Sequence, residues 1–129
     1  MSLQCAFNEW LDESLPNVPP EDVRAYNFNI AERVSDFVVE LIGAPAYDPN
    51  SSDWACEESW SCRPSEFSLP HAEVGSEWQH VEELVVRFVR EFMTHSADLK
   101  AQWLRDSDAV AVGFVDGDLI IVSMANGQL

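Results

Sequence analysis

The stretch AVAVGFVDGDLIIVSM, residues 109–124, restricts the fold more than any other part of the chain. Two apolar runs flank Asp116-Gly117, a dipeptide that accepts the positive backbone angles of a tight hairpin turn. Apolar side chains occupy both faces of each run, so a solvent-facing sheet surface does not suit them. Either the strands are central and covered on both sides, or a helix covers one side and a partner or the N-terminal region covers the other.

A suitable helix precedes the hairpin. Ser76 and Gln79 have the spacing of a capping box, and Glu77 falls in the expected first turn, where the helix dipole favours a negative charge. Val74, Trp78, Val81, Val85, Phe88 and Phe92 then recur at steps of four and three, an apolar stripe that must lie against something. Glu83 and Arg87 add an i, i+4 pair on the outside. A shorter helix is expected from Asp98 to Leu104, with Leu99 and Trp103 one turn apart. Phe7, Trp10 and Leu11 predict a third, from Leu3 to Ser14, ended by Pro16, Pro19 and Pro20.

Tyr26, Phe28 and Ile30 alternate with Asn27 and Asn29, the pattern of a half-buried strand. The run from Phe37 to Ile42 carries β-branched valines and stops at Gly43 and Pro45. It pairs with the first strand as an antiparallel hairpin turning near Arg33 to Asp36, or else forms a short helix. Residues 46–72 are punctuated by Pro49, Pro64 and Pro70. A segment this long needs structure of its own or a function, and both are expected, with a strand around Trp54 to Arg63. Strands grouped apart from helices predict an α+β domain: an antiparallel sheet of four or five strands, with a long helix and one or two shorter helices packed on it. At 129 residues, 47% of them apolar, the chain can bury roughly two-thirds of its unfolded surface in one core.

Charge narrows the function. The 23 Asp and Glu against 7 Lys and Arg leave a formal net charge of -16. Such a surface repels nucleic-acid phosphates and anionic membranes, and it steers cations and basic proteins. Solubility alone is the other use of such a charge. The N-terminal residues lack a basic start followed by an apolar run, and no stretch has the length of a membrane span, so a cytoplasmic location is expected. There Cys5, Cys56 and Cys62 stay thiols.

Motifs for chemistry are weak. Cys56, Cys62, His71 and His80 are separated by five, eight and eight residues, unlike the close pairs of a structural zinc site. His71-Ala72-Glu73 has the form used by zinc deaminases but lacks the downstream cysteine pair. Asp48, Asn50 and Ser52 begin like an EF-hand loop, yet Asp53 stands where Gly is required and Ser59 where Glu is required. The pair Asp106 and Asp108 lies about 20 Å along a strand from Asp116 and Asp118, too far to share an ion. A thiol nucleophile at Cys56 or Cys62, with His71, His80 or His95 as base, has no local signature, and neither a nucleophile elbow nor a phosphate-binding glycine loop occurs. No enzyme activity, metal or cofactor is expected.

Recognition remains. In DWACEESWSC, residues 53–62, Trp54 and Trp60 stand among Asp53, Glu57 and Glu58, which pairs interface-forming aromatics with carboxylates suited to Arg and Lys. The tryptophans could equally cap the core, which leaves the carboxylates as the first contact groups. The strings YNFNIAE (26–32), ELIGAPAYD (40–48), SDWACEE (52–58) and VGFVDGDL (112–119) together resemble small acidic immunity proteins of bacterial polymorphic or contact-dependent toxin systems. The resemblance implies tight inhibitory binding to one cognate toxin, often a basic nuclease, and no catalytic residue. Expected partner-binding residues are Asp48, Asp53, Trp54, Glu57, Glu58 and Trp60; no oligomeric state is assigned. A DNA-mimicking regulator of a basic DNA-binding protein is the alternative, and a thiol- or metal-dependent enzyme comes third.

Overall fold

The computed structural model describes residues 2–95, 98–115 and 117–124. Along the chain run α1 (Leu3–Ser14), β1 (Ala25–Glu32), β2 (Asp36–Ala44), a 3-10 turn (Asp53–Cys56), β3 (Trp60–Ser61) and β4 (Phe67–Pro70). The short α2 (His71–Val74), α3 (Trp78–His95), α4 (Leu99–Asp106), β5 (Ala109–Phe114) and β6 (Ile120–Met124) follow. The fold is α+β, as the patterning predicts. The sheet has six strands, in the order β3-β2-β1-β5-β6, with β4 also paired to β2.

One pairing departs from expectation: β1 and β5 are parallel, in register from Ala25 with Ala109 to Ile30 with Phe114. The chain reaches β5 through α3 and α4, a crossover that brings it back to the end of the sheet where β1 began. The hairpin between β1 and β2 forms as expected, and the second run is a strand, not a helix. Arg33 N–H donates to the Asp36 carbonyl at its turn (2.8 Å). β3 and β4 are short because they divide one edge of β2, β3 taking Ile42 and Gly43 and β4 taking Asp36 to Val39.

Among the described residues, all the packed α-helices lie on one face. There Tyr26, Phe28, Ile30, Phe37, Val39, Leu41, Val110 and Val112 meet Phe7 and Leu11 of α1, the buried stripe of α3, and Ala101 and Leu104 of α4. Phe7 ties four elements together: its ring lies 6.0 Å from Phe28, 5.5 Å from Phe67 and 5.4 Å from Phe88. Such tilted and edge-on contacts are the favoured aromatic geometries. Ser2 caps α1 by accepting from Cys5 N–H (3.1 Å).

Two details of α3 correct the sequence reading. The helix begins at Trp78, and the Glu77 carbonyl accepts its first bond from Val81 (3.2 Å), so Glu77 stands at the cap and the Ser76–Gln79 spacing is one residue out of register. Its buried face is wider than the predicted stripe, adding Leu84, Val86, Val89 and Met93, because the sheet, α1 and α4 all press on it. Trp78, counted in that stripe, is instead 53% exposed. The Asp116 half of the expected turn dipeptide lies outside the described residues.

Candidate interaction surface

Residues alternate across a strand, so the second face of the sheet receives Ala25, Asn27 and Asn29 from β1, Glu40, Ile42 and Ala44 from β2, and Ala109, Ala111 and Gly113 from β5. Most are small or polar, which makes a shallow floor. No α-helix packs there among the described residues. The cover comes from residues 47–55 and 119–121: Trp54 and Ala55 lie on Ala25, Ala44, Ala109 and Ala111, with Tyr47, Leu119 and Ile121 packed beside them. The two-sided apolar hairpin is thus covered by the middle segment, where a partner or the N-terminal region was expected. At Gly113 a Cβ would stand 2.9 Å from the Asp118 carbonyl oxygen, so only glycine allows residues 118–119 to fold this close over β5.

The stretch 53–62 wraps around an edge of the sheet, and its two tryptophans end on opposite faces. Trp54 is 6% exposed and meets Tyr47 edge-on (5.4 Å) on the second face. Trp60 is half-buried against Tyr26 (6.3 Å) on the helix side. Backbone bonds from Ser59 N–H to the Gly43 carbonyl (2.8 Å) and from Cys62 N–H to the Leu41 carbonyl (3.0 Å) hold the crossing to β2. Cys62 is buried; Leu41 N–H donates to its sulfur, the sulfur reaches the Ser65 carbonyl, and burial pushes the thiol pKa up. That environment suits a packing residue rather than a nucleophile. Cys5 and Cys56 are exposed and unbridged.

The predicted carboxylates separate by role. Asp48, Asp53, Glu57 and Glu58 are all exposed. Asp48 Oδ1 accepts from Asn50 N–H (2.9 Å), an Asx turn that shapes the loop. Glu58 is already engaged: Arg63 donates to it through Nη1 and Nη2 (2.6 and 2.8 Å) and to Glu40 through Nε and Nη2 (both 3.1 Å). Among the described residues, Asp48, Asp53 and Glu57 form no ion pair.

Two cavities open on this face. One, about 210 Å³, is lined by Asn27, Asn29, Asp53, Cys56 and Glu58 and closed by residues of the β5–β6 connection. The other, about 280 Å³, lies between Tyr47, Asp48, Trp54 and Asp118. No Lys, Arg or His lines either one. Asn27 Nδ2 donates to Asn29 Oδ1 (2.7 Å), while Asn27 Oδ1, deeply buried, has no partner among the described residues. Four of the six expected residues therefore border one surface: Asp48, Asp53, Trp54 and Glu58. Glu57 lines neither cavity, and Trp60 faces away.

A third cavity, about 460 Å³, adjoins the first through Phe114, Val115 and Gly117, and its other walls are Ala31, Glu32 and Trp78. Trp78, the most exposed large aromatic among the described residues, carries an accessible indole that the sequence reading assigned to the core. Its position at the first residue of α3 was the available signal, since the end of a helix can extend past the surface that its middle packs against.

Along β2 the second face also carries ion-pair clusters. Arg33 clasps Asp36 through two bonds (2.9 and 2.8 Å) and reaches Glu66 (2.9 Å), while Ser68 donates to Asp36 (2.7 Å). The guanidinium, then the hydroxyl, hold the Asp36 carboxyl well below the usual carboxylate range. Among the described residues no three His, Cys, Asp or Glu side chains gather as metal ligands, and no helix is long and apolar enough to cross a membrane. The surface is thus acidic, shallow and built from a loop laid on alanines, and no known protein family, curated protein or solved structure matches the chain.

Proposed function

We propose that this chain is an immunity-type inhibitor: it binds one cognate toxin of basic charge, a nuclease being the expected class, and neutralises it by covering the surface the toxin uses. The reading is supported above all by the second face of the sheet, where Asp48, Asp53, Glu58 and Asp118 border two adjoining cavities that no basic side chain lines. A basic protein brings the counter-charges that Asp48, Asp53 and Asp118 lack among the described residues. Long-range attraction speeds its arrival, and contacts in desolvated recesses slow its departure. The exposed Asp48, Asp53 and Glu57 are available to that partner, whereas Glu58 serves through the Arg63 cluster that fixes the edge of the surface. The work takes place in the cytoplasm and needs no cofactor, metal or covalent step.

The test begins with the product of the neighbouring gene. Its expression should arrest growth, and co-expression of this chain should restore it through a stable complex. The triple change Asp48→Asn, Asp53→Asn, Glu57→Gln should slow association more than it speeds dissociation, and the difference should shrink in high salt. A neighbour that is harmless, together with no basic protein bound in the native cell, overturns the proposal. Capture of a DNA-binding regulator instead of a toxin would favour the DNA-mimic reading.

A further inference from the structure

The cavity at Trp78 lies at the end of the sheet where β1 runs into β2, and four rings cross that end in sequence. Trp78 meets Phe114 edge-on (5.8 Å), Phe114 meets Phe37 (5.9 Å), and Phe37 meets His71 (5.0 Å). His71 Nε2 in turn lies 3.2 Å from Glu32 Oε2. The row has two free ends, an indole and a carboxylate, and both line the same cavity. Phe114 restrains the indole edge-on, while His71 Nε2 lies near Glu32 Oε2 without forming a hydrogen bond to it, and Glu32 Oε1 has no partner among the described residues.

An exposed side chain that is already packed in place, as Trp78 is against Phe114, binds at a small cost in ordering entropy. Trp78 is 53% exposed and Val115 59%, and the remaining lining is apolar apart from Glu32. An aromatic face beside a carboxylate matches one side chain better than others. A guanidinium stacks on an indole while its planar fork donates to a carboxylate, whereas a lysine ammonium is a strongly hydrated point charge. A purely apolar anchor would strip water from Glu32 without replacing its hydrogen bonds.

We infer that this cavity receives an arginine side chain of the basic partner, stacked on Trp78 and paired with Glu32. The inference rests on the reading of the chain as a binder of a basic protein and adds a contact centre outside residues 48–62. Through Phe114, Val115 and Gly117 the cavity continues into the acidic second face, so one partner surface can span both.

The test uses the full chain and needs no toxin. In ¹⁵N-labelled protein the indole N–H resonance of Trp78 is assigned among the five tryptophans by Trp78→Phe. Titration with N-acetyl-arginine methylamide at low ionic strength should shift that resonance saturably. The citrulline analogue, which has the same shape without the charge, should bind on the order of five-fold more weakly, and Glu32→Gln should weaken arginine binding to a similar degree. An unmoved Trp78 resonance, an equal response to citrulline, or an unchanged response in Glu32→Gln overturns the inference. With a neutralised toxin in hand, Trp78→Ala should weaken the complex by about 30-fold. Should Trp78→Ala fail to fold, Glu32→Gln, a change at a half-exposed side chain, carries the same comparison. A toxin bound equally well by both variants overturns the arginine site and leaves the proposed function standing. An arginine response at Trp78 with no basic partner in the cell overturns the function and leaves the site.

Discussion

On the face that carries the helices, β1 presents Tyr26, Phe28 and Ile30, each at most 1% exposed; one residue along, the other face receives Ala25, Asn27 and Asn29. The same strand therefore supplies two surfaces of different character. The first is closed by α1, α3 and α4 through large interlocking side chains. The second is covered by a loop, small side chains and ion pairs, and it keeps its carboxylates at the surface. Stability is expected to concentrate on the first face and recognition on the second.

The sharpest test of that division is Phe28→Ala. It removes a fully buried ring from the contact with Phe7, and it should cost about 3–5 kcal/mol in urea unfolding, the range for large core truncations. Trp54→Ala removes a larger ring on the second face, yet it should cost less, about 2–3 kcal/mol, because a loop over alanines can settle into the space. An equal or greater loss at Trp54 would break the comparison.

Asn27→Val should change stability by about 1 kcal/mol in the opposite direction. The substitution removes a buried acceptor that has no partner and places a β-branched side chain in a central strand. A loss of the same size would mean that the asparagine ladder supports the floor.

The smallest effect concerns pH. Asp36 is held below its ordinary range in the folded state, so below about pH 4 the unfolded chain takes up the proton first. The stabilisation is present above that range and is lost as pH falls toward the folded value. Asp36→Asn should flatten the acid side of the stability profile. Glu82, whose carboxyl burial pushes up, acts in the opposite sense and is relieved as pH falls.

Much of the helix-covered face was legible in the residue order. Phe7 and Leu11 recur at helical spacing, and Tyr26, Phe28 and Ile30 alternate, because a large side chain must point inward at every turn or every second residue. The second face was less legible. Trp54 and Trp60 look alike in sequence, and only the path of the chain around the edge of β2 sends them to opposite sides. Glu58 reads as a free contact group until Arg63, five residues on, is seen folded back to it and to Glu40. Trp78 continues the spacing of the α3 stripe and nevertheless faces solvent, since periodicity does not reveal where a helix starts to touch its neighbour.

The sequence by itself determined the main elements outside residues 46–74, the α+β class and the sign of the surface charge, since these follow from local periodicity, turn chemistry and composition. The strand expected around Trp54 to Arg63 is instead a 3-10 turn and the two-residue β3, and β4 and α2 were not anticipated. Only the tertiary structure decided that β5 runs parallel to β1, that a loop with one 3-10 turn rather than an α-helix covers the second face, and that Trp78 rather than Trp54 is the accessible indole. Those outcomes depend on which distant residues meet, and a pattern of inward and outward positions carries no information about the identity of the neighbour.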